Sequence, residues 1–460
     1  MTDYARATYD AGKRAALEAT GGPARFQVIV VLAAVLGLDM ADKGTVSAMS
    51  DLLKQAFHIG NTDIGLLLAV VSFIGAFGTL PAGMLVDRMR RKTILLIVLP
   101  VWAALMIVSG TATSFLYLIL ARLGLGAVTA SAWPCVASMT GDFFPARERA
   151  AIYGLIISGE LIGAGFGFFV SGEVSSFLDW RWGFYVMALP SLAVLWAVWR
   201  FLPEPDRGTQ SWIAPGETDA FRAAHGEGTK RPDENAGANE GQSVRKAVQR
   251  ADIGPREEMV LHEDPARRSW AWAVRYLTKI PTYLLLVAAS TLTYYFFSGL
   301  RAFGMIYFTQ HLGLKQHTVS ALIIIIGLGA LAGVIAGGRL SEWLLRRGNF
   351  NARIVVPAVA LLVAALLYAF GIWATNVWIA MALLTAATAA MAAATAPIYA
   401  ARLDIVHPSM WGRAESGHMA MRSLFEGGAP LLFGAVSGWL GGGARGLMWT
   451  FLLMLIPMLI

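Results

Sequence analysis

Gly83-Met84-Leu85-Val86-Asp87-Arg88-Met89-Arg90-Arg91-Lys92 is the stretch on which the fold of this chain turns. It is a short charged connection between two long apolar runs, residues 64–86 and 93–112. A second connection, Gly338-Arg339-Leu340-Ser341-Glu342-Trp343-Leu344-Leu345-Arg346-Arg347, closes the apolar run 318–341. Gly, Leu, an acid and two terminal bases fall at the same offsets in both. Pro145-Ala146-Arg147-Glu148-Arg149-Ala150 has a weaker echo in Pro408 through Arg413-Ala414. The same loop at the same place in two successive sets of apolar runs implies a chain built twice, as multi-span membrane proteins with internal repeats are.

The rest of the chain has a membrane composition. Hydrophobic residues make up 56% of it and charged residues 15%, against roughly a quarter charged in soluble domains. A helix needs about 20 mostly apolar residues to cross hydrocarbon. Twelve runs qualify: 26–50, 64–86, 93–112, 114–140, 149–172 and 181–202, then 281–309, 318–341, 352–374, 376–402, 412–439 and 444–460. The expected class is an all-α membrane protein, with twelve transmembrane helices in two six-helix pseudo-symmetric bundles. The expected division is an N-terminal segment 1–25, a bundle 26–202, a connecting loop 203–280 and a bundle 281–460. Residues 1–24 lack a basic start followed by an apolar core, so no cleavable signal peptide is expected. Residues 203–268 are rich in Gly, Pro, Glu and Arg and read as disordered. The loop's end, Arg267 through Arg275 with Trp270 and Trp272, reads either as an interfacial helix or as plain linker.

The net charge of +7 does not point to nucleic acid, because the bases sit in short clusters between apolar runs. Of 37 Lys and Arg, Lys54, Arg181, Lys315 and Arg445 fall on one set of connections and Lys43, Arg122, Arg301 and Arg422 fall inside runs. The other 29 share the opposite side. That bias places both termini in the cytoplasm, in a multi-pass plasma (inner) membrane protein. Cys135 is the one cysteine, so there is no disulfide framework. The histidines are scattered and no metal spacing is visible; no metal and no cofactor are expected.

Charges inside spans are costly and mark pathways or relays. Span one carries Asp39, Asp42 and Lys43, span four Arg122, span five Glu160, span seven Arg301, and span eleven Arg422 and Glu426. Asp39 and Lys43 are four apart and share a helix face. Arg422 and Glu426 share one too, either as pathway residues or as a mutually neutralising pair. Arg413 and Glu415 read as loop charges at the cytoplasmic mouth. Asp42 and Arg122 are the expected proton-coupling pair, with a permanent structural ion pair as the alternative. A carboxylate beside a guanidinium stays ionised, and one parted from it in an apolar space takes up a proton. Arg301 is expected to attract an anionic head group. The aromatics about it, Tyr294 to Phe297, Phe303, Tyr307 and Phe308, either line a tail cavity or face lipid and neighbouring helices. Gly154, Gly159, Gly163, Gly165 and Gly167 in span five read as packing glycines.

The loop Gly83–Lys92 resembles the signature that follows the second helix of the major facilitator superfamily. In that setting Gly83 and Gly338 let helices approach closely, and Asp87 is expected to meet a helix N-terminus in its own half. Arg88 and Arg91, with Glu342 and Arg346 in the second copy, are expected to gate the passage, the bases by bridging to acids across the interface between halves. Leu38-Asp39-Met40-Ala41-Asp42-Lys43-Gly44-Thr45-Val46, Ala121-Arg122 through Gly141-Asp142-Phe143-Phe144, and Ala302-Phe303-Gly304-Met305 resemble segments of the Spinster-type transporters of lysolipids and sphingolipids. That resemblance implies a proton-coupled site at Asp42 and Arg122, with Asp39 or Glu160 standing in for a family acid that falls on Thr129. It implies a small amphiphilic, lysolipid-like substrate with an anionic head. Lys43, Thr129, Tyr295, Tyr307, Arg301, Arg422 and Glu426 are the candidate substrate contacts. A family proline falls on Tyr307. Phe144-Pro145 through Arg149-Ala150 resembles organic-anion symporters, which stand as the alternative.

Other classes fit less well. A membrane enzyme would show clustered carboxylates, His or metal ligands near one face, and a channel would show pore loops or ring-forming charges. The expected protein is a monomeric carrier in contact with lipid bilayer, protons and its substrate, with no nucleic-acid partner and no enzymatic activity.

Overall fold

The computed structural model describes residues 23–205, 207, 265, 268–313 and 316–459. Every regular element among them is helical. Residues 1–22 of the expected N-terminal segment 1–25 and most of the loop 203–268 lie outside the described residues, and residues 23–25 already belong to the first helix. In order the helices are α1 (Pro23–Ala48), α2 (Ser50–Phe57), α3 (Asn61–Arg88), α4 (Arg91–Gly110), α5 (Phe115–Thr129), α6 (Ala132–Phe143), α7 (Arg149–Phe177) and α8 (Trp180–Phe201). After the loop come α9 (Trp270–Leu277), α10 (Pro281–His311), α11 (Gln316–Arg346), α12 (Ala352–Trp373), α13 (Val377–Asp404), α14 (Trp411–Trp439) and α15 (Gly443–Leu455). Taking α5 and α6 as one crossing, ten are long and apolar enough to span a membrane. The other two crossings are α14, diluted by Arg413, Glu415, Arg422 and Glu426, and the short α15.

Span four is broken, and its sequence says why. Pro134 has no N–H, so the carbonyl four residues earlier, on Ala130, loses its helical donor. The helix stops at Thr129 and restarts at Ala132. Thr79 of α3 supplies the missing donor, its hydroxyl giving a 2.9 Å hydrogen bond to the Ala130 carbonyl. Thr79 is 2% exposed, so water does not replace it.

Small residues set how closely the helices pack. A Cβ on Gly159, Gly163 or Gly167 of α7 would run into the backbone of Ala33, Gly37 or Ala41 of α1. The same holds in the second half, where Gly333 and Gly337 of α11 lie on Ala389 and Ala393 of α13. The expected packing role of these span-five glycines is therefore realised between spans one and five. Gly154 instead meets Val334 of α11 in the other half, and Gly165 faces open space.

The two halves close on each other at the end that carries the basic loops, through one contact made twice. Gly83 lies against Gly412 and Ser416, and Gly338 against Ala150 and Ala151, with no room for a Cβ at either. One turn on, Asp87 accepts hydrogen bonds from Gly412 N at 2.8 Å and Arg413 N at 3.2 Å, at the start of α14. Glu342 accepts from Ala151 N at 2.8 Å, at the start of α7. Each acid thus answers the unpaired N–H groups and positive end of a helix in the opposite half. This corrects the expectation that Asp87 caps a helix of its own half. Arg413 Nε completes the Asp87 contact at 2.7 Å. Arg149 of α7 reaches Asp404 at 3.0 Å and lies 5.0 Å over the Trp411 ring. Arg353 also pairs with Asp404 and donates to the Ala146 carbonyl across the interface.

The expected cross-interface role of Arg91 is not what the structure shows. Arg91 is buried within its own half, paired with Asp142 and with Glu204 at 3.0 Å. Arg346 is 63% exposed and lies 4.0 Å from Glu342 on its own helix, and Arg88 is exposed at the end of α3. Both described ends of the connecting loop are tied to this closure. Arg207 donates to the Val86 and Met89 carbonyls at the C-terminus of α3. Arg413 donates to the Pro265 carbonyl at 2.8 Å and the Arg268 carbonyl at 3.1 Å. The basic, Trp-rich end of the loop is helical as α9, with Ser269 capping Trp272 N at 3.3 Å and Ala273 and Leu277 buried.

Two outcomes follow. Thr79→Val leaves the buried Ala130 carbonyl without a donor and lowers thermal stability in detergent by about 1–3 kcal/mol; an unchanged melting temperature contradicts this account of the break. Asp87→Asn leaves the Arg413 charge buried without its counter-ion, a loss of about 3–5 kcal/mol at the closure. A cysteine placed at the buried Ser416 should then react with a thiol reagent at least about tenfold faster, and an unaltered rate means Asp87 does not hold the halves together.

Candidate functional site

Away from that closure, α1 turns Asp39, Lys43 and Ser47 toward solvent-reached space, one helical turn apart. Lys43 Nζ is 3.2 Å from Asp39, and both side chains keep close to 30% of their surface exposed. Although in the middle of a span, they stand on the side of α1 that faces the charges of the second half. Lys43 lies within electrostatic reach of Glu426, Arg422 and Arg301 of the second half as well as Asp39. Glu160 of α7, 8% exposed, sees the same group: Arg422, Lys43, Asp39 and Glu426.

The second half answers with two bases and an acid. Arg422 of α14 is 2% exposed. Its guanidinium sits 3.3 Å over the Tyr294 ring, and one nitrogen donates to the Tyr399 hydroxyl at 3.0 Å. Nε lies 3.5 Å from Glu426. Arg301 of α10 is half exposed and donates to the other Glu426 oxygen at 3.1 Å. Four helices, α1, α7, α10 and α14, therefore bring three acids and three bases together between the halves, with Tyr399 of α13 against Arg422. The bland pairing of Arg422 with Glu426 exists, yet each member also has other charged neighbours. Such a cluster can exchange an internal carboxylate for an external anion, because Glu426 occupies the bases only by ion pairing.

Asp42 and Arg122 lie just behind this face. They form a direct ion pair, with Arg122 fully buried and Asp42 nearly so. The Arg122 guanidinium is 4.7 Å over the Phe184 ring. Its Nε and second terminal nitrogen have no hydrogen-bond partner among the described residues. A guanidinium carries five donors, so a single carboxylate leaves this one under-satisfied. Asp42 is within electrostatic reach of Asp39 and Lys43, which couples the buried pair to the wetted face.

Other candidates fall elsewhere. Thr129 ends α5 and turns its hydroxyl back to the Gly126 carbonyl at 3.4 Å. Tyr295 is 8% exposed and packs on Phe433; Tyr307 is 1% exposed and bonds the Ile372 carbonyl. Both belong to the core of the second half with Phe296, Tyr368 and Phe451, the neighbouring-helix alternative for these aromatics, and Tyr294 alone of the pair Tyr294–Tyr295 meets the charged cluster.

Arg413 and Glu415 are not the loop charges they read as. Glu415 is fully buried and bidentate with Arg402, both bonds at 2.9 Å. It also accepts from Trp133 Nε1 of the first half at 3.3 Å. His418 completes the group, its Nδ1 3.5 Å from Glu415 and its Nε2 2.8 Å from Ser290 Oγ. Arg402, Asp404, Arg353 and His418 were not singled out from the sequence, and Arg149 was quoted only as part of a loop motif. Asp142 and Asp404 end equivalent spans and pair with Arg91 and Arg353, so aligning the repeats would have exposed them. Among the described residues no group of three or more His, Cys, Asp or Glu is arranged to hold a metal ion.

The family model of the Major Facilitator Superfamily matches residues 31–414. The structure is similar to the crystal structure of the human organic anion transporter MFSD10 (TETRAN), with a TM-score of 0.63 at 15% identity over 95% of this chain and 99% of that one. It is similar to a bacterial homolog of the human lysosomal transporter Spinster, inward-facing and unoccupied, with a TM-score of 0.56 at 18% identity over 95% of both chains. The proton:xylose symporter XylE, bound to 6-bromo-6-deoxy-D-glucose, gives 0.66 at 15% identity over 94% of both. At these identities the likeness is one of fold. The chain is an integral, multi-pass membrane protein and a transporter rather than an enzyme, and it belongs to the Major Facilitator Superfamily.

Proposed function

We propose that the protein is a proton-coupled secondary transporter that moves an anionic amphiphile by alternating access. The observation that carries the reading is the pairing of two arrangements in one molecule. A balanced set of partly exposed charges from both halves faces across mid-span, while the basic-loop end is sealed by the duplicated Asp87 and Glu342 contacts. With the basic loops cytoplasmic, as the charge bias supports, this is an outward-open state of a plasma (inner) membrane carrier. The substrate's anionic head takes Arg422 and Arg301, releasing Glu426, and Lys43 and Glu160 face it from the first half. Rocking the halves breaks the Asp87 and Glu342 contacts and carries the site to the other side.

Asp42 and Arg122 supply the coupling. In hydrocarbon an ionised carboxylate needs its partner, and a parted one takes up a proton. Arg122 has donors to spare, so an anion or water drawn to it competes with Asp42. Substrate binding and protonation are then linked by a coupling free energy between the two sites. The resemblance of spans one and four to Spinster-type carriers favours a lysophospholipid-like substrate. A compact organic anion is the second reading, favoured by the packing of Tyr295 and Tyr307 into the core, where neither lines a slot for a long tail.

In proteoliposomes, Asp42→Asn abolishes uptake driven by a pH gradient while folding and insertion persist; undiminished proton-driven uptake in that variant ends the coupling proposal. Arg422→Gln weakens binding of an anionic ligand by about 10- to 100-fold, the loss of one charge-assisted bond. Arg301→Ala, at a half-exposed site, weakens it less. Titration of a lysophospholipid and of a short aromatic carboxylate into the same preparation separates the two substrate readings, because the ligand that binds the folded state stabilises it by a free energy that rises with the logarithm of its concentration above Kd.

A further inference from the structure

His418 is a buried imidazole that the coupling scheme above does not use. It lies in α14 about two turns from the sealed end, with 0% of its surface exposed. Ser290 of α10 holds Nε2 at 2.8 Å. Nδ1 has no hydrogen-bond partner among the described residues and points along the helix to Glu415, 3.5 Å away. Around the pair stand Arg402 and Tyr399 from α13, Tyr283 from α10, Tyr153 from α7, Trp133 from α6 and Arg422 from α14 itself. Tyr283 bonds the Ala414 carbonyl at 2.6 Å and leaves the carboxylate to the others.

Glu415 is the only acid among these groups, and in the sealed state its oxygens are already occupied. Arg402 takes both and Trp133 reaches one from across the interface. A proton on His418 would add a third cation, after Arg402 and Arg422, around one carboxylate in a dry space. Trp133 belongs to the other half. Parting the halves removes its N–H from Glu415 and opens the way for water, so Glu415 gains a vacant lone pair facing an imidazole with a vacant nitrogen. The sealed and parted states therefore differ in their affinity for a proton at this place, and a ligand that prefers one state shifts the population toward it.

We propose that His418, with Glu415, is a second proton-binding site of this transporter, one that takes its proton from the basic-loop side as the halves part there. It is separate from Asp42 and Arg122, which lie in the first half behind the wetted cluster. It rests on the proposed alternating access, since it requires the sealed end to open. The linkage runs one way: acid on the basic-loop side stabilises the open gate, and base restores the seal. Tyr399 joins the two regions, edge-on to His418 at 5.4 Å and hydrogen-bonded to Arg422 at 3.0 Å. Substrate release from Arg422 and proton uptake at His418 thus share a side chain.

The test is a distance across the seal measured against pH. Arg90 and Asn349, exposed in equivalent loops of the two halves, are replaced by cysteine in a Cys135→Ala background and spin-labelled in lipid nanodiscs. Pulsed electron resonance then gives the open fraction between about pH 8 and about pH 5.5, a range that brackets imidazole titration. The native pair should open about threefold or more on acidification. His418→Gln should flatten that curve. Ser290→Ala, which frees Nε2 without touching a charge, should move its midpoint and guards against misfolding of the His418 variant. A His418→Gln curve that overlays the native one overturns the proposal. So does a native seal that opens with substrate and ignores pH, an outcome that leaves alternating access standing. A native seal that opens under neither condition overturns alternating access itself.

Discussion

A charge in hydrocarbon has to be answered by another group, and the placement of the buried ionisable side chains among the described residues follows from that demand. Asp87 and Glu342 are answered by backbone N–H groups at the starts of α14 and α7. Asp42 is answered by Arg122, Glu415 by Arg402, and Asp404 by Arg149 together with Arg353. Some answers come from within one half and do not depend on the halves touching. Others come from the opposite half and last only while the halves touch. Alternating access in such a molecule amounts to exchanging the second kind for water, substrate or protons.

The close approach that brings these partners within reach depends on residues without side chains. Gly83 against Gly412, and Gly338 against Ala150, allow backbone contact across the interface. The acid one turn later is then at hydrogen-bond distance from a helix end. Because the chain is built twice, the contact is made twice and the seal is two-sided. The copies are not equal. Asp142 pairs with Arg91 of its own half, and Asp404 is shared between Arg353 and Arg149 of the two halves. The second half thus carries the latch of the seal, and the buried Glu415, Arg402 and His418 group lies next to it.

Much of the fold was legible in the sequence because its signals are local. Span number, the duplicated loop and the in-span charges all stand in the residues from Gly83 to Lys92, from Gly338 to Arg347, and at Asp42, Arg122, Arg422 and Glu426. What was not legible was which partner each charge meets. Asp87 and Arg91 sit four residues apart in one loop, yet one crosses the interface and the other stays at home. Helix packing decides that, and packing is not written in spacing. Glu415 read as a loop charge because it stands at the cytoplasmic mouth; it is buried because α14 begins at Trp411, inside the seal. The break in span four was marked by Pro134, whose consequence depended on Thr79 from another helix. Tyr295 and Tyr307 share a helix with Arg301 but point into the core of their half.

The central claim is that substrate and protons move together through a site that the seal keeps from being open on both sides at once. Its most direct measurement is proton movement caused by substrate alone. Proteoliposomes holding the transporter and a trapped pH indicator, with no gradient imposed, receive a lysophospholipid or an organic anion on one side. The account predicts a change in internal pH that tracks uptake in a fixed ratio and is absent from liposomes without the protein. Uptake that leaves the internal pH unchanged would contradict it.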